Sequence, residues 1–418
     1  MRISGSLTFA GDKSISHRAL MLAALTDGEC VVRNPARGQD LEATRRCLVA
    51  CGIESAWEGN SIRIIGGTLI NPASDLDCGN SGTTARLLLG LLAGQAIKAH
   101  FTGDESLSRR PMDRVNAPLT RMGAKIESTQ GRLPLTLHSR QLAGITYRPP
   151  VASAQVKSAI LLAGLGAGGT TSVIENLPTR DHTEKMLITL GAPIEITESL
   201  MAVQKLKGKL PTFEITVPGD PSTAAFFAAA AAGLPGSELI LKQVSLNPRR
   251  IGLYSVLERM GASVVYRQTD QILGEPAGDI EIKSRPLQGV ALTAKDIPGM
   301  IDELPALAVL ATQAEGVTEI RGARELRVKE TDRIAALCEN LKLLGAQVKE
   351  YADGLTITGP TPLKGESVRS FGDHRIAMAF KIAGLYSIGA VSIDDSDCIK
   401  ISEPEFDDLL NRVLKRSI

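Results

Sequence analysis

The chain has 418 residues, 43% of them hydrophobic, 22% charged and 3% aromatic, with a formal net charge of +1. This length calls for at least two domains. The near-zero charge gives no overall field for a polyanion, and so few aromatic rings exclude a base-stacking groove for nucleic acid.

No targeting segment and no run of about 18 apolar residues is seen, so the expectation is a cytoplasmic protein with no membrane partner. The six cysteines form no C-x-x-C pair and the five histidines are dispersed, so no metal is called for. Cys47 and Cys51, four apart on an expected helix, read as small apolar residues of one face and fit a reducing compartment. No phosphate-binding G-x-x-x-x-G-K-[ST] and no G-x-G-x-x-G between strand and helix occurs.

Taken along the chain, one pattern recurs: a small or polar start, an Ala/Leu-rich run, then usually Gly. It reads GDKSISHRALMLAAL from Gly11, GNSGTTARLLLGLLAG from Gly79 and SAQVKSAILLAGLG from Ser153. It continues as GDPSTAAFFAAAAAG from Gly219, DELPALAVLATQAEG from Asp302 and DHRIAMAFKIAGL from Asp373. Between these lies a second helix that ends in Gly and runs into a strand, at Gly52, Gly123, Gly191, Gly261 and Gly345, the residue expected just past a helix end. The sixth such helix, DDLLNRVL, reaches the end of the sequence. Alternating runs at 61–65, 132–137 and 354–357 read as strands. Each unit of about 70 residues thus reads β-α-β-α-β-β. Six units gather three by three into two domains, cut near Pro218-Gly219-Asp220.

The Ala/Leu helices are apolar all round and must be buried, yet their first N–H groups have no intrahelical acceptor. Their starts carry Lys, Ser, Asn, Gln, Asp and Arg. Lys13 and Arg18 oppose the usual preference for acids at a helix start, unless an anion sits between them. Three parallel helices per domain would converge their positive ends, and two such ends facing each other would form an anion-focusing cleft.

Further polar patches fall in register with the repeat. DESLSRR at 104–110 reads on its own as a solvated loop, and Arg180-Asp181-His182 is ambiguous. KETDR from Lys329 reads alone as an exposed helix start with i,i+4 pairing. Asp373-His374-Arg375 opens an apolar helix, where a paired buried charge is the alternative. Asp302-Glu303 is an ordinary helix start or, if Asp302 faces cations, a proton acceptor for a substrate hydroxyl.

Seven stretches, GDKSISHR, GNSGTTAR, LSRRPM, SAQVKSA, DELPALAVLA, LRVKETDR and GDHRIAMA, follow one another across nearly the whole chain. In these the chain resembles the 5-enolpyruvylshikimate-3-phosphate synthase (3-phosphoshikimate 1-carboxyvinyltransferase) family. The resemblance implies an α/β protein with a two-domain inverted α/β barrel-like fold of six β-α-β-α-β-β repeats, three per domain. Its buried parallel helices point their N-termini at the interdomain cleft. One domain spans 13–218; the other combines 1–12 with 219–418. The implied reaction moves the enolpyruvyl group of phosphoenolpyruvate to the 5-hydroxyl of shikimate 3-phosphate. It runs by addition and elimination through a tetrahedral adduct, releases phosphate and uses no cofactor. The implied pathway is the shikimate route to chorismate and the aromatic amino acids.

Position by position, the resemblance implies that Lys13 touches both substrates and takes part in catalysis. Ser14, Arg18, Ser153, Ala154, Gln155, Arg180, Asp302 and Lys329 would serve shikimate 3-phosphate. Gly82, Arg110, Gln155, Glu330, Arg333 and Arg375 would serve phosphoenolpyruvate, arginine being suited to oxyanion pairs. Asp302 would be the base on the 5-hydroxyl and Glu330 the proton donor to the methylene carbon. Glyphosate is implied as an inhibitor, with its potency left open by Gly82, and a monomer is expected. The family's C-terminal lysine has no aligned counterpart: alignment on Pro404 puts Ile401 there, with Lys400 as the neighbouring candidate. Three rivals stand beside this reading. The sister enolpyruvyl transferase acting on UDP-N-acetylglucosamine usually carries a loop cysteine that 104–110 lacks. A non-catalytic phosphate-ligand binder has no use for Asp302 together with Glu330. A polyanion scaffold fits neither the charge nor the aromatic content.

Overall fold

A computed structural model of the chain describes residues 1–415. The chain divides into two compact units: Gly11–Val217 with Gln271–Glu275, and Met1–Ala10 with Pro218–Asp270 and the residues from Pro276 onward. They are called here the first and the second unit.

The first unit is organised around three inner helices, Lys13–Ala23, Gly82–Gly94 and Ala154–Gly164. Beyond the first turn they carry Ala, Leu, Ile and Met on every face, and these side chains are buried. Three four-stranded sheets surround them, all built alike. In the first, Glu214–Thr216 runs parallel to Glu29–Arg33, which pairs antiparallel with Ser61–Ile65 and so on to Glu54–Glu58. The second repeats this with Leu76–Asp77, Ala99–Thr102, Leu135–His138 and Lys125–Ser128. The third uses Thr146–Tyr147, Thr171–Ile174, Leu200–Val203 and Ile194–Ile196. The strand expected from 132 starts at Leu135, because Pro134 has no N–H to give the ladder.

The second unit has the inner helices Pro221–Gly233, Leu304–Ala311 and His374–Tyr386. A five-stranded sheet orders Ser263–Ile272, Glu275–Lys283, Glu238–Ser245, Arg2–Thr8 and Leu414–Lys415. A four-stranded sheet of Ala291–Leu292, Gly316–Ile320, Gly354–Gly359 and Gln347–Tyr351 repeats the parallel-then-antiparallel order. The sixth repeat departs from the others. Its described strands form two short parallel ladders, Leu363–Lys364 with Ser387–Ile388 and Ser367–Val368 with Ser392–Ile393. After helix Phe406–Val413 the chain pairs with Arg2 and Ile3 instead of forming a hairpin.

The five glycines that follow the second helices, Gly52, Gly123, Gly191, Gly261 and Gly345, have φ between 69° and 105°. A left-handed residue lets the chain turn from helix into strand, and only Gly adopts it without a Cβ penalty. Gly90 serves a different end. A Cβ there would lie 2.2 Å from the carbonyl oxygen of Ala159, so helices Gly82–Gly94 and Ala154–Gly164 touch backbone to backbone. Gly90→Ala is therefore expected to lose roughly 2–3 kcal/mol of stability by forcing these helices apart. Thermal unfolding against the parent chain checks this, and an unchanged midpoint would contradict the close packing.

Candidate active site

In the first unit the three inner helix starts are joined side chain to side chain. Asp12, Ser81 and Ser153 accept from the backbone N–H of Ile15 (2.9 Å), Thr84 (3.1 Å) and Val156 (3.4 Å). A short polar side chain is needed there because the first-turn donors have no carbonyl of their own. Lys13 Nζ lies 2.9 Å from Asp40 Oδ2. The carbonyl of Ser14 accepts from Arg18 at 2.9 Å. Arg18 is 3% exposed and also donates to Thr183 Oγ1 and Ser158 Oγ, both at 2.7 Å. Burial pulls its pKa down to about 10; Glu184 and Asp12 work against this, and nearby Arg180 adds to it. A buried guanidinium bonded to uncharged oxygens, with a second cation close by, is an arrangement that an arriving anion stabilises.

Gln155 accepts from Arg86 at 2.6 Å and donates to Thr83 Oγ1 at 3.0 Å. Arg110 is 7% exposed and donates to Asn80 Oδ1 at 2.6 Å. A Cβ on Gly82 would lie 3.0 Å from a terminal nitrogen of Arg86 and 3.5 Å from one of Arg110. Gly82 thus lets two guanidinium groups lie against the helix start. Ser153 and Ala154 open helix Ala154–Gly164, and half-buried Arg180 stands just before helix His182–Thr189. The segment read as a loop at 104–110 is instead a short helix, Glu105–Arg109, because Asp104 caps it by accepting from Leu107 N at 2.7 Å.

In the second unit Asp302 draws three cations together. Its Oδ1 lies 3.3 Å from Lys329 Nζ, 3.5 Å from Arg333 and 3.9 Å from Arg375, and its carbonyl accepts from Arg375 at 3.2 Å. Glu303 stands at the cap position of helix Leu304–Ala311 and bonds Ser222, so Asp302, one residue earlier, faces the cations. Arg333 is 1% exposed. It grips Asp373 with two nitrogens at 2.7 and 3.1 Å and Glu330 with one at 2.6 Å. Burial disfavours its charge, but Asp373, Glu330 and Asp302 together outweigh this and raise its pKa. Asp373 caps helix His374–Tyr386 by accepting from Arg375 N at 2.8 Å.

The structure therefore gathers Lys13, Ser14, Arg18, Gly82, Arg110, Ser153, Ala154, Gln155 and Arg180 within the first unit. Asp302, Lys329, Glu330, Arg333 and Arg375 lie within the second. Lys400 lies on the short turn of helix Asp397–Ile401, mostly exposed and paired with Asp397 at 2.7 Å. Sequence reasoning missed Asp40, Arg86 and Thr183. Arg86 stands inside the quoted GNSGTTAR and Thr183 directly after Arg180-Asp181-His182, but only the folded chain shows what they touch. Asp40 carries no local signal at all.

Residues 1–410 match the family model described as EPSP synthase (3-phosphoshikimate 1-carboxyvinyltransferase). A 3-phosphoshikimate 1-carboxyvinyltransferase of Desulforamulus reducens is 46% identical, with 99% of this chain and 97% of that one covered. One from a Synechococcus species is 47% identical, covering 99% and 95%. Among solved structures, EPSP synthase from Acinetobacter baumannii superposes with a TM-score of 0.87 at 42% identity, covering 99% and 96%. The enolpyruvyl transferase NikO of Streptomyces tendae shares the fold, with a TM-score of 0.80 at 20% identity, covering 99% and 95%.

His17 lies behind Lys13 with its Nδ1 2.7 Å from Thr44 Oγ1. Burial lowers its pKa from 6.5 to about 3, against the pull of Asp40 and with Lys13 and Arg18 adding to the fall. Below pH 6.5 the unfolded chain takes up a proton that the folded chain refuses, so stability drains as pH falls from 6.5 towards 3. The expected slope is about 1.4 kcal/mol per pH unit. His17→Gln is expected to flatten this loss, as read by denaturant unfolding at stepped pH. An unchanged slope would show that His17 is not the group refusing the proton.

Proposed function

Because the chain belongs to the EPSP synthase (3-phosphoshikimate 1-carboxyvinyltransferase) family, we propose that it transfers the enolpyruvyl group of phosphoenolpyruvate to the 5-hydroxyl of shikimate 3-phosphate and releases phosphate. The observation that carries the reading is the Asp302 carboxylate, set against Lys329, Arg333 and Arg375, with Glu330 on the same Arg333. A passive anion receptor would present its cations unopposed, whereas this cluster sets two carboxylates among them.

In this reading Arg333 and Arg375 clamp phosphoenolpyruvate, with Arg110, Gln155, Gly82 and Lys13 as further contacts. Ser14, Arg18, Ser153, Ala154, Gln155, Arg180 and Lys329 hold shikimate 3-phosphate together with Lys13. Holding the two reactants in place can itself supply roughly 7–11 kcal/mol of the barrier. Asp302 takes the proton of the 5-hydroxyl as its oxygen bonds C2 of phosphoenolpyruvate, and Glu330 gives a proton to C3. The tetrahedral adduct then expels phosphate as C3 returns its proton to Glu330 and the double bond re-forms; the proton held by Asp302 leaves with the phosphate, so both carboxyl groups end as they began. The resting ion pairs suit this sequence. A carboxylate held by three cations is a poor base, and an anion that takes a share of those cations restores its proton affinity. The same exchange at Arg333 lets Glu330 accept the proton that it later donates.

We further read the protein as a cytoplasmic monomer with glyphosate as an inhibitor at the phosphoenolpyruvate contacts. Among the described residues no helix is long and apolar enough to cross a membrane.

Purified protein is expected to release phosphate only when both substrates are present, and turnover of UDP-N-acetylglucosamine in place of shikimate 3-phosphate would sink the assignment. Asp302→Asn and Glu330→Gln are expected to bind shikimate 3-phosphate within a few-fold of the parent while kcat drops about 10²–10⁴-fold. Rates equal to the parent's would remove both from the mechanism.

A further inference from the structure

Two short chain segments meet behind Arg18. On helix Ala154–Gly164, Lys157 and Ser158 are fully buried; on helix His182–Thr189, so are Thr183 and Glu184. They meet as two neighbouring pairs. Thr183 Oγ1 donates to Ser158 Oγ at 2.8 Å, and Lys157 Nζ lies 2.6 Å from Glu184 Oε1 in an ionic contact rather than an aligned hydrogen bond. Lys157 also bonds Glu175 at 2.9 Å. At the head of the second helix, His182 Nδ1 lies 2.6 Å from Glu275, and both residues are buried from solvent.

The hydroxyls of this zipper hold the side chain of one residue given a substrate role. Arg18 donates its Nε to Thr183 and one terminal nitrogen to Ser158. A guanidinium has five N–H groups, and with its bond to the Ser14 carbonyl these contacts take one from each nitrogen. Each terminal nitrogen keeps one further N–H. The direction of those two donors is set by the two hydroxyls, and the hydroxyls are set by the pairing of the helices. The helices also start at Ser153–Gln155 and directly after Arg180.

We propose that Thr183 and Glu184 are positioning residues for shikimate 3-phosphate, fixing Arg18 and locking the Ser153–Gln155 and Arg180 helix starts to each other without touching the substrate. The inference rests on the substrate assignment made above. Glu184 pulls against the anion it helps to bind: as a negative charge near Arg18 it weakens that residue's field. If it served only as background charge, removing it would tighten anion binding. As a positioning group, its removal loosens it, because Lys157 loses one of its two carboxylates and the helix pair loses a tie.

Thr183→Val and Glu184→Gln nearly preserve volume, and each variant is to be measured in two ways. Calorimetric titration with shikimate 3-phosphate alone is expected to show binding weakened on the order of 10-fold in both, in line with the steep cost of small misplacements. Steady-state kinetics is expected to show the KM for shikimate 3-phosphate rising in step, with the KM for phosphoenolpyruvate and kcat within about 3-fold. Glu184→Asp is expected to recover part of the loss. Tighter binding in Glu184→Gln, or a lowered melting midpoint with binding unchanged, overturns the proposal. If Glu184→Gln does not fold, Thr183→Val decides alone, and parent-like binding by it refutes the idea. A parent protein that binds shikimate 3-phosphate but never turns over would fail the functional assignment and leave this test of positioning in force.

Discussion

A helix buried on all sides must still find partners for the N–H groups of its first turn, and both units are shaped by that requirement. Asp12, Ser81, Ser153, Asp220 and Asp373 each accept a backbone N–H at the start of an inner helix. Polar groups placed there enter an otherwise apolar layer, so they in turn need partners. The networks that run from Arg18 to Ser158, from Arg86 to Gln155 and from Arg333 to Asp373 are those partners. The positive ends of the helices favour anions in the same places. Stable burial and anion chemistry therefore have one structural origin.

The two units meet the requirement with opposite electrostatics. In the second unit three carboxylates, on Asp302, Glu330 and Asp373, stand against three cations, on Lys329, Arg333 and Arg375. An anion arriving there exchanges with a carboxylate and changes what that carboxylate can do. In the first unit Arg18 is bonded to uncharged oxygens only in its described contacts, and Arg180 adds to the strain on its charge. An anion arriving there relieves a standing cost. In the proposed reading, the second unit's cluster serves exchange during reaction and the first unit's serves retention.

The repeat was legible because it depends on features that a single sequence displays: all-round apolarity of the inner helices and a glycine wherever φ turns positive after the second helix. Lys13, Arg18, Asp302, Glu330, Arg333 and Arg375 were legible because each stands within a few residues of such a helix start or of a short charged run in register with it. Asp40 was not, since its role exists only through a contact across 27 positions. The helix at Glu105–Arg109 was too short to show a period, so its cap, Asp104, read as one more loop residue. The sixth repeat kept the beat of its helices in the sequence, but its two-residue strands leave no alternation from which the missing sheet could be noticed.

The segment Gln271–Glu275 is the tip of the hairpin formed by Ser263–Ile272 and Glu275–Lys283, two strands otherwise belonging to the second unit, yet it packs as part of the first. Ile272 and Leu273 rest against the first unit's apolar core, and buried Glu275 meets buried His182. A gene fragment cut at 11 and 217 would omit this part of the unit, baring the apolar residues it packs against and an imidazole that meets a carboxylate. The first unit is thus completed by residues from a distant part of the chain, which passes between the units near residues 10, 217, 270 and 275.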